Sequence, residues 1–141
     1  MHWYDFEQSS NGIFAYLKDG RIFQIEAGTL RYATADGITA DGSPQDVRTH
    51  HPQLQAYALL HSGAKVNGGR DLIYWVDRQK GIAFEFYYDR RVDGRRVASI
   101  IVFTPGTEFL PKGCVAPPRE WRELEPFALE PPSNESQNME R

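Results

Sequence analysis

The chain has 141 residues and a formal net charge of −3, and its composition is 40% hydrophobic and 13% aromatic. A chain of this length builds one domain with a core of its own, and it needs neither a metal nor a disulfide to fold. Its single cysteine, Cys114, excludes the disulfide-rich secreted scaffolds. No apolar run reaches the roughly 20 residues that span a bilayer, so we expect no integral membrane segment.

The charge is distributed unevenly along the chain. Residues 1–115 carry equal numbers of basic and acidic side chains, and residues 116–141 supply the whole acidic excess. A neutral body argues against nucleic-acid binding, which depends on neutralising phosphates. One local exception is a cluster of basic residues around Asp93-Gly94, a sequence typical of a tight turn. These residues are either the surface charge of a solvated turn or a binding site for a phosphate or an acidic partner. The cluster comprises Arg90, Arg91, Arg95 and Arg96.

The beginning of the chain bears on its location. Met1 to Asp5 shows neither a basic nor an apolar signal segment. We therefore expect a cytoplasmic protein from the sequence as written, and a periplasmic or envelope protein if the chain is a trimmed mature segment.

The first predicted elements form a β-hairpin. Gly12–Leu17 and Arg21–Ala27 are rich in Ile, Phe and Tyr, and Lys18-Asp19-Gly20 between them favours a tight turn. Thr29–Thr34 either extends the sheet or crosses its edge.

The next element is a short helix. Ser43 is a favourable N-cap, Pro44 suits the first helical position, and Asp46 lies in the first turn. Pro52 limits the helix to about two turns. The following segment, Gln53–Leu60, has a spacing compatible with either a helix or a strand.

Three strands follow as an antiparallel meander. Asp71–Asp77, Gly81–Asp89 and Arg95–Thr104 are joined by short connections. In the middle strand, the alternate positions that include Phe84 predict a core face, and those that include Glu85 predict a wetter face.

The C-terminal part is rich in proline. We expect one helical turn at Arg119–Leu124 that docks Trp121 and Leu124 on the sheet. The sequence thus predicts a single domain over residues 1–129 and a disordered acidic tail over residues 130–141. The fold class is α+β: an N-terminal hairpin and a C-terminal three-stranded meander form an antiparallel sheet with one or two short helices on one face.

Four residues suggest an enzyme, namely a small hydrolase or a metal-dependent enzyme that uses His50, His51, His61 and Cys114. Their spacing lacks both a histidine pair four residues apart and a Cys-x-x-Cys motif. We therefore expect no catalytic residue, no metal site and no cofactor, and this enzyme remains the alternative hypothesis.

Aromatic residues suggest a binding surface. Two neighbouring strands contain six aromatic rings, and Tyr74 and Tyr87 are predicted to form an exposed strip. The same rings equally suit cross-strand pairs that stabilise the sheet. The predicted binding residues are Tyr74, Trp75, Tyr87, Arg90, Arg91, Arg95 and Arg96.

The segment from Asp36-Gly37-Ile38 through Ser43-Pro44-Gln45-Asp46-Val47-Arg48, followed by the meander, resembles a recurrent small α+β unit. This unit occurs in the SmpA/BamE outer-membrane assembly lipoproteins and in β-lactamase-inhibitor-protein-like domains. The resemblance covers about half the chain. It implies helices packed on one face of an antiparallel sheet and an activity of protein binding. The paired cysteines of the inhibitor group are absent here.

These observations together predict a non-enzymatic protein-interaction module with an unidentified protein partner and no nucleic-acid partner. The oligomeric state has no signature in the sequence.

Overall fold

The computed structural model describes residues 5–8, 12–28, 32–60, 71–88, 95–114 and 116–131. These ranges contain one α-helix, α1 (Pro44–His50), and eight β-strands. The strands are β1 (Asp5–Gln8), β2 (Ile13–Lys18), β3 (Arg21–Ala27), β4 (Gln55–Leu59), β5 (Asp71–Asp77), β6 (Ile82–Tyr88), β7 (Val97–Phe103) and β8 (Trp121–Leu124).

All eight strands belong to one antiparallel sheet in the order β1-β2-β3-β7-β6-β5-β4-β8. The predicted hairpin is β2–β3 and the predicted meander is β5–β6–β7, so both are confirmed. The pairing of β3 with β7 joins the hairpin to the meander.

The turn between β2 and β3 follows from two residues. Asp19 and Gly20 both have positive φ, 52° and 76°. This is the backbone that a two-residue turn needs to match the twist of its flanking strands. Gly20 adopts it without a steric cost, and Asp is among the residues that tolerate it.

Helix α1 begins as predicted. The Ser43 hydroxyl accepts a hydrogen bond of 3.2 Å from the backbone N–H of Asp46, and Pro44 occupies the first turn. Val47 is the buried residue of the helix. The α+β description is matched only loosely, because the described residues place this one short helix beside eight strands.

The secondary structure of two segments did not follow from their local sequence. Gln53–Leu60, which was compatible with helix or strand, contains strand β4. The predicted helical turn at Arg119–Leu124 is wrong, since Trp121–Leu124 is the edge strand β8. These two strands pair with each other, Leu59 opposite Trp121, so each supplies the hydrogen-bonding partner that the other lacks locally.

Around β5 and β6 the sheet is buried on both faces. The first face holds a cluster that includes Trp75, Phe84 and Phe86, and α1 packs there through Val47. The second face holds a cluster that includes Tyr74 and Ile101. The prediction of a wetter face around Glu85 is therefore wrong.

Several predictions fall wholly or partly outside the described residues. These are the tail beyond residue 131, the turn at residues 89–94, and residues 29–31 of the segment that was predicted to extend the sheet. Ala33, in the described part of that segment, forms an isolated bridge with Thr39. No helix within the described ranges is long and apolar enough to cross a membrane.

Candidate functional site

A cluster of ionisable side chains lies inside the second face of the sheet. The Tyr74 hydroxyl donates a hydrogen bond to Oε2 of Glu85, and Lys112 Nζ lies 2.9 Å from the same oxygen. Lys112 Nζ also lies 3.3 Å from Oε2 of Glu26. We call these four residues the polar cluster: Glu26, Tyr74, Glu85 and Lys112.

The sheet register brings the cluster together. Tyr74 and Glu85 are directly paired between β5 and β6, and paired residues of antiparallel strands project from the same face. Glu26 projects from β3. Lys112 enters from a 3₁₀ turn at Pro111–Gly113, with a φ of 54° that is unfavourable for a lysine. Its contacts with the two carboxylates hold this strained backbone in place.

Burial and charge shift the titration of the cluster. Burial raises the pKa of Glu26, and the neighbouring Glu85 raises it further. Burial and then Glu85 hold the pKa of Tyr74 well above its ordinary value of 10.0. Burial alone would lower the pKa of Lys112, but Glu85 and Glu26 outweigh it, so this pKa is raised above 10.5. Lys112 therefore remains an ammonium group at neutral pH.

The polar cluster is enclosed rather than open to a substrate. Glu85 is fully buried, and its Oε1 has no hydrogen-bond partner among the described residues. Tyr74 is likewise buried. A reaction at these groups would require a substrate to enter the sheet interior, so the arrangement supports a structural role.

A cleft of about 250 Å³ opens beside the cluster, on the same face. Its lining includes Gln24 and Phe103, which pair between β3 and β7, together with Leu110 and Cys114. Burial raises the pKa of Cys114 to about 11. The sulfur is thus a thiol at neutral pH and lacks the activation of a nucleophile.

The best-defined histidine contact is on the first face. His51 is buried with its ring edge against Phe84, and its Nδ1 lies 2.8 Å from Oδ2 of Asp77. Its Nε2 lies 3.8 Å from Oδ2 of Asp36. Asp77 also accepts a hydrogen bond from the backbone N–H of Lys80. This contact ties the C-terminal end of α1 to the end of β5.

The three described residues of the alternative enzyme hypothesis, His50, His51 and Cys114, are not brought together. His50 is exposed and its Nδ1 contacts the backbone oxygen of Asp46 in its own helix, at 2.9 Å. His51 and Cys114 lie on opposite faces of the sheet, because one packs on Phe84 and the other lines the cleft with Phe103. His61 lies outside the described residues. The part of the chain that the structure describes contains no group of three or more His, Cys, Asp or Glu side chains suited to a metal ion.

The predicted binding residues are also dispersed. Tyr74 and Trp75 are buried, so the predicted exposed strip of Tyr74 with Tyr87 is wrong for Tyr74. Both faces of β5 are covered, which leaves no room for a surface aromatic there. Tyr87 is exposed, and its binding role remains a prediction.

The arginines predicted to bind differ in their surroundings. Arg95 packs its guanidinium 4.7 Å from the centre of the Tyr88 ring and 3.8 Å from a carboxylate oxygen of Glu130. Arg96 is exposed. Arg90 and Arg91 lie outside the described residues.

Aliphatic side chains on the first face form a surface that the sequence did not reveal. Ile22, Ile25 and Val102 are 57%, 39% and 51% exposed. We call these three residues the apolar patch. Ile25 pairs directly with Val102, and Val102 pairs with Ile82, which is partly buried against the first-face core. A register shift in the β2–β3 pair places Ile22 opposite Leu17 and thereby on the same face as Ile25, which lies opposite Ala15. The patch is therefore an uncovered continuation of the core.

The polar cluster also escaped sequence reasoning, although one signal was present. Glu85 stands between Phe84 and Phe86 in a strand of seven residues, four of which are aromatic. A carboxylate that is buried in such a strand needs a hydrogen-bonding or oppositely charged partner. Its partner Lys112 lies in a loop whose position no local pattern defines.

No family model, curated protein or solved structure matches this chain. The resemblance to the SmpA/BamE and inhibitor-like domains therefore remains a prediction from the sequence.

Proposed function

We propose that this protein is a non-enzymatic protein-interaction module that binds its partner through the apolar patch. The observation that supports this proposal is the exposure of Ile22, Ile25 and Val102. Elsewhere in the sheet, around β5 and β6, both faces are covered. Contiguous exposed apolar residues beside a polar rim are typical of protein-binding surfaces.

The register makes the apolar patch a continuous surface. Residues paired across antiparallel strands stand about 5 Å apart on one face. Val102 is paired with Ile25 on one side and with Ile82 on the other. Helix α1 packs on the part of this face that lies over Trp75 and Phe84, and it leaves the part over β3 and the end of β7 uncovered.

The charges beside the apolar patch define the chemistry of the partner. The β2–β3 and β5–β6 turns lie at the same end of the sheet, since β7 ends between the starts of β3 and β6. Arg21, Arg78 and Lys80 are exposed basic side chains of these turns, and Asp19 is an exposed acidic one. The exposed residues Lys18 and Glu108 lie at the same end but line the second-face cleft. This excess of positive charge favours a protein segment that presents aliphatic side chains next to acidic ones.

Quantitative affinity capture with matched variants tests the proposal. Ile25→Thr combined with Val102→Thr keeps β-branched residues in the strands while removing apolar surface from exposed positions. The partner recovered by the unmodified protein should be lost with this variant and weakened by added salt. Tyr87→Thr, at an exposed tyrosine outside the apolar patch, is the matched control and should recover the partner fully.

Two results would overturn the proposal. Equal recovery by the Ile25→Thr/Val102→Thr variant would show that the apolar patch is not the binding surface. Loss of recovery with Tyr87→Thr alone would instead support the aromatic surface that the sequence suggested.

A further inference from the structure

The polar cluster contains two carboxyl groups and one ammonium group. Lys112 Nζ lies 3.3 Å from Oε2 of Glu26 and 2.9 Å from Oε2 of Glu85. Glu26 is 5% exposed and Glu85 is fully buried, so bulk water solvates neither group. One ammonium group compensates one carboxylate, and a second buried negative charge is costly. The observed arrangement, which we call the closed state, therefore favours a proton on one of the two carboxyl groups.

The cluster meets the solvent at residues 110–114, which we call the strap. Leu110 and Cys114 line the cleft, and Phe109, immediately before the strap, is buried in the second-face core. The strap contains a 3₁₀ turn of three residues, in which Lys112 has a φ of 54°. The side chain of this lysine is 21% exposed. A short irregular segment with a strained backbone is typical of the parts of a protein that open locally.

Glu26 is the carboxyl group that holds the proton. Oε2 of Glu85 accepts the hydrogen bond from the Tyr74 hydroxyl and lies closer to Lys112, and both contacts stabilise a charged carboxylate. Burial raises the pKa of Glu26, and the charge of Glu85 raises it further. The Lys112 ammonium and the Ser99 hydroxyl lower this pKa without cancelling the rise.

The other titratable groups around Glu26 keep their protons at neutral pH. The pKa values are raised for Tyr16 on β2, for Tyr74 on β5, and for Lys112 and Cys114 in the strap. Glu26 is therefore the group that releases a proton from the cluster when the pH rises from acidic to neutral.

We propose that loss of the Glu26 proton opens the strap, so that residues 110–114 leave the polar cluster while Phe109 stays in the core. Ionised Glu26 is a second negative charge beside Glu85 in the closed state, whereas water solvates it in the open state. The strap is thus a pH-dependent cover of the cleft, since it carries part of the cleft lining. This device lies on the second face and does not depend on the apolar patch, which lies on the first.

The direction of the pH dependence follows from the proton. A carboxyl group whose pKa is higher in the closed state than in the open state favours the closed state at low pH. Opening should therefore increase as the pH rises from 4.5, the ordinary pKa of Glu26, and level off above its pKa in the closed state. The increase is at most about tenfold per pH unit, because one proton is released.

The thiol of Cys114 reports the opening, because it belongs to the strap and is 2% exposed in the closed state. Its reaction with 4,4′-dithiodipyridine is measured between pH 4.5 and pH 8 in the folded chain and in the same chain unfolded in urea. The ratio of the two rates gives the open fraction, since the pH dependence of the thiol chemistry is common to both. We expect this ratio to increase at least tenfold over the range. A ratio that stays constant or decreases would overturn the proposal.

Low concentrations of urea distinguish local opening from unfolding of the whole chain. Urea favours a transition in proportion to the surface that it exposes, and the strap exposes little. Reaction of Cys114 at pH 8 should therefore change less than about twofold in about 1 M urea, whereas reaction through complete unfolding would accelerate roughly fivefold or more. The larger acceleration would overturn the local opening.

Two matched variants assign the pH dependence to Glu26. Glu26→Gln keeps a neutral group of similar size in the cluster, so the ratio should stay at its low-pH value. Glu108→Gln makes the same change at an exposed residue of the cleft and should retain the full pH dependence. An unchanged pH dependence in Glu26→Gln, or its loss in Glu108→Gln, would show that another group controls the strap.

Discussion

Lys112 is the residue on which the interior of the second face depends. Its ammonium group contacts Glu85 and Glu26, two carboxyl groups that are both buried. Its backbone adopts a left-handed conformation that costs about 1–2 kcal/mol in a residue other than glycine. The backbone conformation at position 112 does not favour lysine, and the contacts of its ammonium group with the two carboxyl groups offset this cost.

Substitution of this lysine should be strongly destabilising. Lys112→Met should lower the free energy of unfolding by about 3–5 kcal/mol, because it leaves buried carboxyl groups without their cation. Urea denaturation followed by fluorescence measures the loss. Lys80→Met, at an exposed lysine that reaches the backbone oxygen of His50, is the control and should cost less than about 1 kcal/mol.

A second substitution checks the cause of that loss. Adding Glu85→Gln to Lys112→Met removes one of the stranded charges and should restore part of the stability. If the double variant were as unstable as the sum of the single variants, the ammonium–carboxylate contact would not be the source of the effect.

At the scale of elements, α1 is a helix of seven residues and depends on its first turn. Isolated helices of this length are not stable in water, so the N-cap and the packing of Val47 must support it. Ser43 satisfies the backbone N–H of Asp46, which otherwise has no partner within the helix.

Substitutions of Ser43 should distinguish the contribution of its capping hydroxyl from that of its backbone conformation. Ser43→Ala should lower the free energy of unfolding by about 1 kcal/mol, whereas Ser43→Gly should cost only a few tenths. Chemical denaturation of both variants provides the measurement. An equal loss in the two variants would indicate that the hydroxyl contact does not cap the helix.

Strand β8 and the segment after it contribute to the core on both faces of the sheet. The indole N–H of Trp75 donates a 2.7 Å hydrogen bond to the backbone oxygen of Ala128, and Phe127 packs edge-on against the same ring. On the second face, Trp121 stacks on Tyr57 at 4.9 Å. Pro131 is buried at the end of this segment.

Truncations should therefore differ sharply in effect. A chain that ends after Pro131 should keep its melting temperature, because residues 132–141 are poor in apolar side chains. A chain that ends before Trp121 should lose at least about 3 kcal/mol, since it removes two large aromatic side chains from the core. Thermal unfolding of the two truncated chains tests this, and a marked loss from the first cut would show that residues 132–141 contribute to the fold.

At the scale of the whole molecule, the buried hydroxyls of Tyr16 and Tyr74 and the ammonium group of Lys112 make the free energy of unfolding decrease at alkaline pH. Burial raises the pKa of Tyr16 to about 12, with a further contribution from Glu26. The pKa values of Tyr74 and Lys112 are raised as well. A group with a raised native pKa keeps its proton after the unfolded chain has released it, so stability is full below about pH 10 and is lost above it.

The expected result is a steep alkaline transition. Each such group lowers the free energy of unfolding by up to about 1.4 kcal/mol per pH unit. Urea denaturation from pH 8 to pH 11.5, with tyrosinate absorbance recorded in parallel, measures this slope. Tyr16→Phe should reduce it, and Tyr87→Phe, at an exposed tyrosine, should not. Early ionisation of all seven tyrosines without loss of structure would contradict the expectation.

Glu26 affects the free energy of unfolding in the acidic pH range. Its pKa is raised, so its contribution to stability is full below the unfolded value of 4.5 and is lost as the pH rises through the native value. Glu26 therefore does not promote acid unfolding, unlike a carboxylate paired only with a cation.

The sequence by itself determined the elements that local physics controls. The β2–β3 turn follows from Asp19-Gly20, and the start of α1 follows from Ser43-Pro44. Strand β5 begins and ends at the predicted residues, Asp71 and Asp77, because Gly-rich residues precede it and a short turn follows it. Each of these features depends on neighbours within a few residues, which a linear pattern records.

Only the tertiary structure decided the character of the second face and the pairing of β4 with β8. Both strands are short, and the pairs that join them link residues about sixty positions apart, such as Leu59 and Trp121, while the other edge of β4 pairs with β5. Glu85 is buried because the segment that carries Lys112 covers it, and that loop has no periodicity that fixes where it packs. Long-range burial thus turned an expected wet face into an enclosed cluster, and it left the apolar patch and Tyr87 at the surface while it buried Tyr74 and Trp75.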